Sequence, residues 1–262
     1  MKMRFLFIGD IVGGGGRAAV NALAKPIMEE YDCSFCVANG ENMAGGNGFT
    51  AKCLAELADS GVNVFTGGDH TWDQKEFPDE IAGLENVLRP ANVSEQQPGR
   101  GHGIFRSADG TEIGVVSLLG RTFMNTHANC PYEAAQRIVA ELRKVTPFVI
   151  VDFHAEATSD KIAMGRMLDG QVSAVLGTHT HVPTADEQIF PGGTAFQSDV
   201  GMVGARESVL GRDIESVVGR YRTGMPARFP VVNDGIRLNG TVVTLDGKGR
   251  ATAIQRVARD FN

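Results

Sequence analysis

Five short segments of the chain join glycine to side chains that can bind a cation. They are Gly9-Asp10, Asn39-Gly40-Glu41-Asn42, Gly68-Asp69-His70, Asp152-Phe153-His154-Ala155-Glu156 and Gly177-Thr178-His179-Thr180-His181. Carboxylates, an amide oxygen and imidazoles together favour a borderline or hard divalent ion such as iron, manganese or zinc. His179 and His181 stand two apart, which in extended backbone puts both rings on one side. Asp10, Glu41, Asn42, Asp69, His154, His179 and His181 make seven candidate ligands. One ion takes about four to six, so seven with Glu41 shared suit a pair of ions. A lone histidine after a strand is more often a structural hydrogen-bonder, and a Gly-Asp pair is more often a turn. Here four of the six histidines fall in these segments, and all five segments hold the same position relative to the elements around them.

Each segment follows a short apolar run. Phe5–Ile8, Phe35–Ala38, Val62–Phe65, Phe148–Val151 and Val172–Leu176 are predicted as buried strands, and Ile113–Leu118 as another. Val20, Leu23, Ala24, Ile27 and Met28 recur at helical spacing, in a helix that Pro26 should kink or end. Further helices are predicted over Ala51–Ser60 with Thr50 as N-cap, over Tyr132–Lys144 after Pro131, and near Asp160–Leu168. This alternation indicates an α/β fold. Ligands of open α/β sheets bind outside the carboxyl ends of the strands, so five such ends in one sheet would bring the segments together. The last third differs. Val231–Asn233, Ile236–Leu238, Val242–Leu245 and Ala253–Val257 are predicted as short antiparallel strands that complete one domain over residues 1–262.

Composition narrows the function. The chain has 262 residues, 42% apolar and 21% charged, as soluble globular proteins do. A net charge of −6 lacks the basic footprint of a protein that binds duplex nucleic acid. A small anionic substrate remains compatible, because bound cations supply local positive charge. No apolar run approaches the roughly 18 residues of a membrane span. Phe5–Ile8 is too short for a signal peptide and Asp10 follows at once, so a cytoplasmic protein is expected.

Cys33 and Cys36 lack the two further ligands of a zinc site and lead into a strand rather than a helix, so they read as ordinary thiols of a reducing compartment. His102 and His127 read as surface or loop residues. Gly13–Gly16 lacks the Gly-Lys-Ser/Thr of a phosphate loop, although amides at a helix start there would suit a phosphate oxygen. Trp72, beside His70, suits packing under the site better than stacking on a base.

In order along the chain, Gly-Asp-Ile-Val-Gly, Ala-Asn-Gly-Glu-Asn-Met-Ala-Gly-Gly, Gly-Asp-His-Thr-Trp-Asp, Val-Asp-Phe-His-Ala-Glu-Ala-Thr-Ser and Val-Leu-Gly-Thr-His-Thr-His-Val-Pro-Thr-Ala-Asp-Glu resemble the YmdB-like branch of the calcineurin-like metallophosphoesterases. The resemblance runs nearly full length, through Ser198–Met202 and Arg237–Gly240. It implies a four-layer α/β/β/α sandwich and a bacterial phosphodiesterase of 2′,3′- and 3′,5′-cyclic nucleotides. It also implies two metal ions, usually iron, with manganese or zinc as alternatives, and it hints at a homo-oligomer. By motif, Asp10, Asn42 and His181 hold one ion, Asp69, His154 and His179 the other, and Glu41 bridges them. His70 is the implied catalytic acid, protonating the leaving ribose oxygen as a hydroxide held by the metal pair attacks in line. No substrate-binding residue is indicated. A phosphomonoesterase or nucleotidase, and a metal-containing regulatory protein without turnover, are the rival expectations.

Two positions depart from the pattern. The wider superfamily opens with Asp-x-His, where this chain has Val12; the branch shares that loss and uses Asn42 instead. The branch normally has Gly-Asn-His, where this chain has Asp69. A carboxylate there leaves the metal pair one unit less positive than an asparagine would. Tighter metal binding and weaker attraction for a phosphate are the expected results.

Overall fold

The computed structural model describes residues 2–262, and its strands fall into two sheets. The first holds β1 (Met3–Ile8), β2 (Asp10–Ile11), β3 (Phe35–Asn39), β4 (Val64–Thr66), β5 (Val87–Leu88), β12 (Met202–Ala205), β13 (Ile236–Leu245) and β14 (Ala251–Phe261). The second holds β6 (His102–Arg106), β7 (Glu112–Leu119), β8 (Val149–His154), β9 (Ala174–Thr178), β10 (Gln188–Ile189) and β11 (Ala195–Gln197). The helices are α1 (Gly13–Glu30), α2 (Ala51–Glu56), α3 (Phe77–Glu80), α4 (Pro131–Leu142), α5 (Thr158–Met167) and α6 (Ile214–Thr223).

Alternation along β1 explains why its sequence is apolar without a break. Phe5 and Phe7 point between the sheets, where they meet Ile113, Val115 and Ile150. Leu6 and Ile8 point the other way, against Ala19, Val20 and Ala24 of α1. The outer face of the second sheet, with Val116, Val151 and Phe153, is covered by Ile138 and Val139 of α4 and Met164 of α5. Strands buried on both faces lose the polar beat that a half-exposed strand keeps.

The first sheet forks. One edge of β13 pairs with β12 through Leu238 and with β1 from Gly240 onward, while β14 takes the other edge. At the fork the chain passes from β1 through Gly9 into β2, which pairs in parallel with β12. A Cβ on Gly9 would lie 1.9 Å from the carbonyl oxygen of Gly201, so only glycine admits this approach. The fork sets Asp10 at the end of β1 and turns it toward the second sheet.

Several expectations change. α1 continues through Pro26 to Glu30, because Ala24 and Ile27 on either side are buried against the sheet. α2 ends at Glu56, although Thr50 caps it as expected, its hydroxyl accepting from Cys53 N–H at 3.1 Å. The C-terminal region forms two long strands rather than four short ones. Ile236–Leu238 and Val242–Leu245 are one continuous strand, with Asn239 and Gly240 inside β13 at the fork, and Val231 makes only an isolated bridge with Arg212. His102 lies in β6 rather than in a loop, while His127 is in an exposed loop.

Candidate metal centre

All five segments stand at carboxyl ends of strands, but the strands belong to two sheets rather than one. Asp10 follows β1, Glu41 and Asn42 follow β3, and Asp69 and His70 follow β4; His154 ends β8 and His179 follows β9. The first three come from one sheet and the last two from the other. The two sheets meet along this end, and the side chains converge across the seam.

Glu41, Asp69, His154 and His179 each offer one ligand atom, and these atoms all lie within 4.8 Å of one another. His154 Nε2 is 2.9 Å from Asp69 Oδ1, 3.2 Å from Glu41 Oε1 and 3.0 Å from His179 Nδ1. Asp10, Asn42 and His181 adjoin this group. Asp10 Oδ1 is 3.9 Å from His181 Nε2 and 3.8 Å from His154 Nδ1. Asn42 Nδ2 lies 2.9 Å from Glu41 Oε1 and 3.3 Å from His181 Nε2. Coordination through Asn42 takes its oxygen, which a flip of the amide presents. Thus all seven candidate ligands come together, with Glu41 between the two subsets.

Three observations fit this set to a cation. Asp10 is fully buried, and its Oδ1 has no hydrogen-bond partner in the protein, a costly state for a carboxylate oxygen. The donors are carboxylates and imidazoles, the chemistry of iron, manganese or zinc sites. Gly68 leaves room: a Cβ there would fall 2.2 Å from Glu41 Oε2 and 2.4 Å from His154 Nε2.

A second layer of residues orients these ligands. The Thr178 hydroxyl donates to Asp152 Oδ1 at 2.7 Å and lies 2.9 Å from His154 Nδ1. With its proton spent on the carboxylate, the hydroxyl accepts from the ring, so Nδ1 carries a proton and Nε2 faces the cluster. Asn39 Nδ2 and the Thr66 hydroxyl also donate to Asp152. Glu156 Oε2 is 3.2 Å from His179 Nε2, which turns Nδ1 of that ring inward. His181 Nδ1 faces the Leu210 carbonyl at 3.3 Å, leaving Nε2 toward Asp10.

His179 and His181 both have positive φ, 102° and 65°, an uncommon backbone for non-glycine residues. Asp199 Oδ2 accepts from the intervening Thr180 N–H at 3.0 Å and pairs with Lys161 Nζ at 2.7 Å, both side chains buried. This buried pair sits under the turn and fixes it.

The charges are strongly coupled. Burial pushes the Asp10 carboxyl up, with Asp199, Glu41 and Asp152 adding to it and His154 opposing. Burial works against the charged form of His154, but Glu41, Asp69 and Asp10 outweigh it and hold the imidazole well above its ordinary value. Burial holds His181 below its ordinary value, against the pull of Glu41, so its ring is neutral and suited to ligation. Burial also lowers His70, but Glu41, Asp69 and Asp73 more than reverse this. His70 Nδ1 is 2.7 Å from Asp73 Oδ2, the His70 backbone N–H donates to Glu41 Oε2 at 3.0 Å, and the ring is partly open to solvent.

A cavity of about 380 Å³ opens over the cluster, with His70, Glu156, His179 and His181 in its wall. The glycines before Arg17 do not present free amides to it. Gly13 N–H donates to the Asn42 carbonyl at 3.0 Å and Gly15 N–H to Asn233 Oδ1 at 2.9 Å. The first bond ties the start of α1 to the ligand loop and the second ties it to the segment before β13. Trp72 packs on Phe77 at 6.0 Å and donates to Gln97, a supporting role. All four cysteines are free. Asp152, Thr178, Asn39, Lys161 and Asp199 went unread in the sequence as parts of the site. Their only signal was proximity to the ligand motifs.

Fold and site together define a two-sheet α/β protein with a carboxylate–imidazole cluster, able to hold a metal ion, at the facing strand ends. The sequence signature of the YmdB-like protein family matches residues 6–257, and the chain belongs to that family. It is 44% identical over 256 residues to a 2′,3′-cyclic-nucleotide 2′-phosphodiesterase of Bacillus subtilis, covering 97% of this chain and 96% of that one. The crystal structure of a hypothetical protein from Thermus thermophilus superposes with a TM-score of 0.91 at 38% identity, over 98% of this chain and 99% of that one. That of a phosphatase from Mycoplasma pneumoniae does so with a TM-score of 0.92 at 30% identity, over 99% and 94%.

Proposed function

We propose that the protein is a metal-dependent phosphodiesterase of cyclic nucleotides, 2′,3′-cyclic foremost and 3′,5′-cyclic in addition. The observation that carries this reading is the convergence of Glu41, Asp69, His154 and His179 beside His70. It is supported by the extended similarity to the Bacillus diesterase. Asp10, Asn42 and His181 would hold one ion, Asp69, His154 and His179 a second, and Glu41 both; iron is the first candidate. Such ions supply Lewis acidity, neutralising phosphate charge and acidifying water.

The chain's own residues supply the rest. Thr178, Asp152 and Glu156 hold the imidazoles in orientation. Asp73 accepts from His70 Nδ1, which leaves Nε2 as the proton-bearing edge beside the site. Together with Glu41 and Asp69, Asp73 keeps that ring protonated toward neutral pH. His70 Nε2 can then give its proton to the departing ribose oxygen, an otherwise poor leaving group. The three apolar layers support the four-layer α/β/β/α order. The place of β13 within the first sheet supports one domain over 1–262. The unpaired Cys33 and Cys36 fit a cytoplasmic setting.

The test is a panel of 2′,3′- and 3′,5′-cyclic nucleotides and matching monophosphates, run on protein loaded with iron, manganese or zinc in turn. Turnover of the cyclic substrates is expected, and His70→Ala should retain metal but lose about 100-fold or more in rate. Preference for monophosphates would make the protein a phosphomonoesterase. Inertness on every ester would favour a regulatory role.

A further inference from the structure

The cavity above the cluster is built from two different materials. Its floor is polar and comes from the strand ends. Its far wall comes from one segment between β12 and β13, and is apolar: Leu210, Val217, Tyr221 and Phe229. Tyr221 is 79% exposed and Leu210 46% exposed, so this wall offers an aromatic ring and an aliphatic chain to water beside a charged centre. An exposed apolar face rimmed by polar groups marks a binding surface.

The wall is held in place before any ligand arrives. The Arg212 guanidinium donates to the Gly46 carbonyl at 2.7 Å, to Asn47 Oδ1 at 2.9 Å and to the Phe229 carbonyl at 3.2 Å. It thereby ties the wall to the loop that follows Asn42. A Cβ on Gly46 would fall 2.5 Å from that guanidinium, so the loop can close onto it only with glycine there. On the other side, the Leu210 carbonyl faces His181 Nδ1 at 3.3 Å. The apolar wall is thus tied to the ligand loop on one side and to His181 on the other.

We propose that Leu210, Val217, Tyr221 and Phe229 form a nucleobase subsite, which seats the base while the phosphoryl group lies at the Glu41–His154 cluster. This rests on the reading of the cluster as the phosphodiester site. A cavity of about 380 Å³ is at the small end of the roughly 300–1,000 Å³ of small-molecule sites, a size for one mononucleotide. A flat heteroaromatic ring stacks on a phenol ring whatever its base edge. Arg212 spends donors on Gly46, Asn47 and Phe229, and the Tyr221 hydroxyl sits at the edge of its ring rather than on the face that stacks. The subsite therefore separates nucleotides from base-free sugar phosphates, and barely separates one base from another.

The test compares the four 2′,3′-cyclic nucleotides with methyl β-ribofuranoside 2′,3′-cyclic phosphate, which lacks a base, on the full-length metal-loaded protein. The parent should favour the nucleotides about 10-fold in KM, with the four bases within about 3-fold of each other. Tyr221→Ala should narrow the KM gap between nucleotide and base-free substrate to about 2-fold, and Tyr221→Phe should keep it. Tyr221 is a surface residue, so loss of fold does not confuse the result. Equal KM for both substrates in the parent, or an unchanged gap in Tyr221→Ala, overturns the subsite alone. Turnover of neither substrate by the parent overturns the reading of the cluster, and the subsite with it.

Discussion

Glu41 Oε1 and His154 Nε2 are 3.2 Å apart, although Glu41 follows a strand of the first sheet and His154 ends a strand of the second. Their contact is the point where the two sheets share one site. Glu41→Gln keeps the shape and removes the charge. It should lower metal affinity and turnover by about 100-fold or more. Elemental analysis after dialysis, alongside rate measurement, reads both; parental metal content would refute the bridging role.

Gly68→Ala probes the same spot from the backbone. Its methyl group would meet Glu41 Oε2 and His154 Nε2 well inside contact distance. Metal retention should fall at least 10-fold, with circular dichroism near that of the parent. A variant that binds metal normally would show that the cluster has slack.

Asp69→Asn restores the asparagine of the branch. Metal affinity should decrease and KM for an anionic diester should drop, each by several-fold, since the loaded site would be one unit more positive. Titration calorimetry and steady-state kinetics measure the two effects, and parental values in both would remove the charge account.

Lys161→Met strands the buried Asp199 carboxylate under the His179–Thr180–His181 turn. Loss of one partner of a buried pair costs about 3–5 kcal/mol. Urea unfolding should show a drop of that order. A loss under about 1 kcal/mol would mean that Asp199 is sustained by its backbone donors.

Burial pushes the Cys33 thiol up to about 12, with Asp32 adding to the rise and Arg4 opposing it. The thiolate is the reactive form. A folded-state value above the unfolded one means the proton is held more tightly in the fold, so reactivity at Cys33 stays low until strongly alkaline pH. At pH 8 the thiolate is on the order of one part in ten thousand. Alkylation followed by peptide mass spectrometry should find Cys33 at least 100-fold slower than free cysteine; rapid labelling would contradict the burial.

The convergence of the candidate ligands was legible because each comes after an apolar run, and strand ends are where such a fold gathers polar groups. Asp10, Glu41, Asp69, His154 and His179 needed no more than that. The partition of strands between two sheets was not legible. Phe5 and Phe7 face the seam while Leu6 and Ile8 face α1, and both faces demand the same residue types. β13 was read as two strands, Ile236–Leu238 and Val242–Leu245, with the polar and small residues Asn239 and Gly240 between them. In the fold Asn239 Nδ2 reaches the Met202 carbonyl at 2.8 Å across the fork. Nothing in the sequence marks the hydroxyls of Thr178 and Thr66 as donors to Asp152; only the folded contacts show it.

The partner of the first strand is supplied almost last, since Ile8 is paired with Gly240. During synthesis β1, β3 and β4 can align early, but β1 keeps one edge bare until β13 leaves the ribosome. Asp10, whose neighbour across the ladder is Met202 in β12, gains its partner somewhat earlier. A message cut short before β13 would therefore yield a nascent product with a sticky open border, the state that chaperones and proteases clear.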